Sequence, residues 1–91
     1  MSTDQAVWKF PLKITDRQTV PMPVGAKILC AQIQQGELCL WAEVDTRCGN
    51  LAREIWIFGT GHPIRNAFSL RYIGTVQQFD GGLVWHVYER K

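Results

Sequence analysis

The segment Gly59-Thr60-Gly61-His62-Pro63 gathers the groups best suited to chemistry, a hydroxyl and an imidazole among two glycines and a proline. Glycines let backbone N–H groups approach an anion, and a threonine hydroxyl adds a donor. Arg65 and Arg71 flank the irregular stretch that follows and would complement an anionic ligand, so Thr60, Gly61, His62, Arg65 and Arg71 form one candidate site. The spacing is neither GxGxxG opening a helix nor GxxxxGK[ST], and the first reading of the glycines is therefore a turn ending a strand. His62 divides the same way, between an exposed loop imidazole and a ligand contact.

The second imidazole, His86, lies in Val84-Trp85-His86-Val87-Tyr88, where period two puts Val84, His86 and Tyr88 on one face. A histidine so placed reads first as a hydrogen-bonded structural residue. Cys30, Cys39 and Cys48 are an odd number with no CxxC and no paired histidine spacing, which points to reduced thiols rather than a disulfide or zinc site. No motif links either histidine to a serine or cysteine nucleophile. Catalysis would need folding to bring Asp16, Glu43 or Asp80 to an imidazole. The chain reads as a non-enzyme without cofactor or metal.

Short strands must position these groups. Residues 6–12 alternate enough for a first strand, with Pro11 placing it at an edge or at a bend, and residues 19–23 form a short extended segment. Residues 27–45 give the clearest hairpin, turning at Gln35-Gly36. Period two assigns Leu29, Ala31, Ile33, Leu38, Leu40, Ala42 and Val44 to the core. The opposite face then carries Ile28, Cys30, Gln32, Cys39, Trp41 and Glu43. Ile55-Trp56-Ile57-Phe58 is apolar on both faces and so requires cover on both sides. A final pair, 70–77 and 83–89, is joined through Asp80-Gly81-Gly82. No window sustains helical periodicity. The expectation is a single all-β domain over 1–91, either a small antiparallel barrel or a two-sheet sandwich of about six to seven strands, with little or no helix.

With 46% hydrophobic and 20% charged residues the chain has a globular composition. At this size it buries only roughly 60 to 65% of its unfolded surface, and the half-apolar outer faces at Ile28, Cys30, Cys39, Trp41, Trp56 and Phe58 point to a homo-oligomer. A net charge of +2 with scattered basic residues disfavours a nucleic-acid binder. Nothing approaches the roughly eighteen apolar residues of a membrane helix, and no basic n-region opens the chain, so a soluble protein is expected. Trp8, Trp41, Trp56, Tyr72, Phe79, Trp85 and Tyr88 are suited to stacking on bases or, more simply, to core and interface packing.

Seven blocks in fixed order carry a family resemblance: residues 7–12 (VWKFPL), 20–23 (VPMP), 25–29 (GAKIL), 40–45 (LWAEVD), 58–62 (FGTGH), 72–75 (YIGT) and 84–87 (VWHV). Together they resemble a family of small uncharacterised proteins encoded by phages and prophages, a domain of unknown function. The resemblance spans nearly the whole chain and implies a phage product acting in the cytoplasm of an infected bacterium. It transfers no catalytic residue. The expected function is a binding protein that inhibits or sequesters a host component, such as one of antiviral defence. Its partner would be a host protein or a small anionic nucleotide, engaged through Thr60, Gly61, His62, Arg65, Arg71, Trp41 and Trp56. The alternative is a nucleic-acid-binding small barrel that uses Trp41, Tyr72 and the scattered arginines.

Overall fold

The computed structural model describes residues 4–91, which form two packed antiparallel sheets. The strands are β1 (Gln5–Pro11), β2 (Arg17–Pro23), β3 (Lys27–Gln34), β4 (Glu37–Asp45), β5 (Asn50–Gly59), β6 (Leu70–Gln78) and β7 (Leu83–Arg90). One sheet has the order β1-β4-β3 and the other β2-β5-β7-β6. Of the two all-β architectures that the sequence allows, the structure is the sandwich and not a closed barrel. A 3₁₀ turn at Ala67–Ser69 is the sole helical element among the described residues.

Alternation explains the packing. The inner faces contribute Leu38, Leu40, Ala42 and Val44 from β4, Ile55 and Ile57 from β5, and Val76 and Val87 from β6 and β7, all buried together with Met22. The tight turns follow backbone chemistry. Asp80 and Gly81 both have positive φ, and the Gly82 N–H donates to the Phe79 carbonyl at 2.9 Å, the I′ geometry that Asp-Gly favours. Gln35 and Gly36 supply the same pair between β3 and β4.

One face assignment from period two is corrected. A β-bulge in β3 shifts the register between Ile28, opposite Ala42, and Cys30, opposite Trp41. Leu29 is the extra residue, so Ile28 rather than Leu29 packs on the core and Leu29 stays 46% exposed. A matching bulge between Tyr72 and Gly74 makes Ile73 the extra residue of β6.

The edges of β3 and β6 lie side by side. A Cβ on Gly74 would sit 3.7 Å from the Ala31 Cβ. The Gln78 amide, itself holding the Trp85 indole N–H at 2.8 Å, donates to the Gly36 carbonyl at 3.0 Å and ties one hairpin tip to the other.

Candidate functional site

The outer face of the four-stranded sheet carries a connected row of aromatic rings. Because Trp56 pairs with Tyr88, Phe58 with His86, Tyr72 with Tyr88 and Thr75 with His86, these side chains share one face of β5, β7 and β6. Trp56 and Phe58 stack at 6.1 Å, Phe58 meets Tyr88 edge-on at 5.6 Å, and Tyr88 meets Tyr72 at 5.4 Å. Arg17, opposite Trp56 on β2, places its guanidinium 5.7 Å from the indole centroid. The indole N–H donates to the Glu54 carboxylate at 2.6 Å, which fixes the ring. Ile55 and Ile57, by contrast, are buried between the sheets. The apolar strand at 55–58 is thus covered on one side by the sandwich and on the other by its own aromatic row, with Tyr72 left 55% exposed.

A polar chain borders this row. The Tyr72 hydroxyl is 2.6 Å from Thr75 Oγ1, Thr75 Oγ1 is 2.9 Å from His86 Nδ1, and His86 Nε2 is 2.7 Å from Thr60 Oγ1. Hydroxyls both donate and accept, so the two threonines satisfy either tautomer of the imidazole. His86 is a hydrogen-bonded residue on an outer face, and it brings Thr60 and Tyr72 to opposite ends of one network.

The loop after β5 is a β-turn, with the His62 N–H on the Gly59 carbonyl at 3.1 Å and Gly61 at φ +88°. The His62 ring lies over Gly59, where a Cβ would meet its Cε1 at 3.0 Å. His62 and Pro63 line a shallow cleft of about 300 Å³ with Asp16, Trp56, Ile57 and Phe58. Asp16 therefore comes to the same cleft as an imidazole, and among the described residues no hydrogen bond joins the two.

The sequence-derived cluster is divided by the fold. Thr60 joins His86, whereas His62 joins Trp56 and Asp16. Arg65 is exposed on the loop. Arg71 turns away, to Glu89 at 3.8 Å. Trp41 stands on the outer face of the other sheet, beside Cys30 and Lys9 in register, and so cannot share a surface with Trp56 or Tyr72.

Residues 3–91 match the family described as Domain of unknown function (DUF7352). The chain belongs to the DUF7352 family. No curated protein and no solved structure matches it. In this DUF7352 domain no group of three or more His, Cys, Asp or Glu side chains among the described residues is placed to hold a metal ion.

Two functional candidates were not read from the sequence, Arg53 and Glu89. Glu89 is 5% exposed and pairs with Arg53, which also donates through Nη1 to the Ala26 carbonyl at 2.9 Å. The signal was present in the alternation. Glu89 falls in step with Val87 and Trp85, and Arg53 with Ile55 and Ile57, so each charge occupies an inward position that demands a partner.

Proposed function

We propose that this DUF7352 domain is a non-enzymatic binding protein that captures a protein partner on the aromatic outer face of its four-stranded sheet. The observation carrying this reading is the row Trp56, Phe58, Tyr88 and Tyr72 with Arg17 over one end, lying on the sheet face turned away from the other sheet. Tryptophan, tyrosine and arginine dominate the energetic centres of protein interfaces, because they bury large areas at low rotamer cost. The row is already ordered by ring contacts and by Glu54, so little entropy is lost on docking. Thr60, Thr75 and His86 supply a polar rim.

The resemblance of the sequence blocks to phage and prophage products supports a bacterial host partner, inhibited or sequestered in the cytoplasm, with a defence component as the narrower reading. An anionic nucleotide held by Thr60, His62, Arg65 and Arg71 together has less support, since Arg71 leaves that group. A nucleic-acid path over Trp41 and Tyr72 is likewise weakened by their placement on different sheets.

The test is capture from bacterial cells with tagged wild-type protein, followed by binding of the purified partner to wild type and to the Trp56→Ala/Tyr88→Ala double variant. The expected result is at least about a tenfold loss of affinity in a variant that still melts cooperatively. Equal binding by the variant overturns the assigned surface. A gel shift with single-stranded nucleic acid that weakens steeply with salt would favour the nucleic-acid reading instead.

A further inference from the structure

The two bulges face each other across the seam between the sheets, and their extra residues, Leu29 and Ile73, are both walls of one cleft. This cleft, about 440 Å³, opens at the end of the sandwich and is also lined by Ile28, Tyr72, Lys27, Arg53, Arg71 and Glu89. Bulges bend strands and re-aim side chains, and they concentrate beside binding sites. Here a bulge in each of two neighbouring edge strands coincides with a cavity within the size range of small-molecule sites.

Charge makes the cleft selective. Two arginines, Arg53 and Arg71, stand over one carboxylate, Glu89, while Lys27, which also lines the cleft, has Glu43 as its cross-strand partner. Arg53 is anchored at the base by Glu89 and the Ala26 carbonyl. Arg71 is only loosely paired, at 3.8 Å, and its side chain is 64% exposed, so its planar fork has donors to offer an incoming anion. The apolar part of the lining, Ile28, Leu29 and Ile73 beside the Tyr72 ring, suits a flat organic group.

We infer that the cleft between the bulges binds a small organic phosphate or carboxylate, its anionic head on Arg71 with Arg53 behind it, and its planar body between Leu29, Ile73 and Tyr72. This site is separate from the Thr60 and His62 loop and does not depend on the proposed partner surface, although Tyr72 borders both.

The test is amide-resolved NMR titration and calorimetry with phenyl phosphate, adenosine 5′-monophosphate, benzoate and inorganic phosphate at up to millimolar concentration. Saturable shifts at Leu29, Ile73 and Arg71 are expected with the three organic anions, and about tenfold weaker binding with inorganic phosphate, which lacks the planar body. Phenyl phosphate binding stronger than benzoate assigns the phosphate as the preferred head, and the reverse assigns the carboxylate. Arg71→Ala should weaken binding about tenfold. Leu29→Trp, which fills the mouth from an exposed position, should abolish it while the melting temperature is retained. Absence of shifts at these residues with all four probes, or binding unchanged in both variants, overturns the assignment. Binding by Trp56→Ala at wild-type strength is expected, which separates this site from the partner surface.

Discussion

Backbone and thiol chemistry at single positions lead to four expectations. Gly59 and Gly61 bracket the same turn for different reasons. Gly61 holds φ +88°, which a side chain adopts only with strain, so Gly61→Ala should cost about 1–2 kcal/mol in urea unfolding. Gly59 is needed for space: its added Cβ would meet the His62 ring, an exposed side chain that can move aside. Gly59→Ala should therefore cost less than about 1 kcal/mol and move the His62 ring resonances. The cysteines differ by burial. Cys48 is exposed, Cys30 half-buried and Cys39 buried, and burial pushes the Cys39 thiol up from its ordinary pKa. A maleimide should label Cys48 first and Cys30 more slowly, with Cys39 reacting only in denaturant, as intact-mass spectrometry will read. The raised folded pKa also has a sign. Its contribution to stability is complete below the thiol's unfolded pKa and declines as pH rises through the folded value, so Cys39→Ala should flatten the alkaline side of the stability profile.

Strand register decides which side chains stabilise the fold, and here the sequence was legible up to the bulges. Alternation correctly assigned Leu38, Leu40, Ala42 and Val44 to the core, because β4 is a regular central strand paired on both sides. It failed at Leu29 because period two cannot reveal an inserted residue in an edge strand, where one side of the ladder is free to pucker. The consequence is testable by substitution. Ile28→Ala should destabilise by about 1–2 kcal/mol and Leu29→Ala by less than about 0.5 kcal/mol in chemical denaturation. The reverse order would restore the unbulged register. Glu89 raises a related expectation at the end of β7. Removing its carboxylate leaves Arg53 buried without its ion-pair partner, so Glu89→Ala should cost about 3 kcal/mol, far more than breaking the surface pair of Arg47 with Asp45. The candidate site was less legible than the core. The sequence named Thr60, His62, Arg71, Trp56, Tyr72 and His86, but which of them meet depends on pairings between strands distant in the chain. Thr60 and His86 come together only because β7 inserts between β5 and β6.

A chain of this size has little surplus stability, and the whole molecule presents two outer sheet faces of unlike character. One carries the ordered aromatic row on β5, β7 and β6. The other carries Val7, Trp41 and Cys30 on β1, β4 and β3, with Lys9 bound to Gln34 and with Lys27 opposite Glu43, so its apolar centre is edged by charges of both signs. Mixed charge around an apolar centre suits a self-complementary contact, because a suitably placed twofold axis can bring a cation of one copy to an acid of the other. Self-association is therefore expected on the Trp41 face, which leaves the Trp56 face for a partner. Light scattering at micromolar concentration should give twice the 10.4 kDa chain mass for wild type, and the monomer mass for Trp41→Arg. Trp56→Arg should remain dimeric. A wild-type monomer refutes self-association, and a monomer only in Trp56→Arg transfers it to the aromatic row. That second outcome would also bear on the proposed function, since partner binding through the row would then compete with the dimer and become steeply dependent on protein concentration.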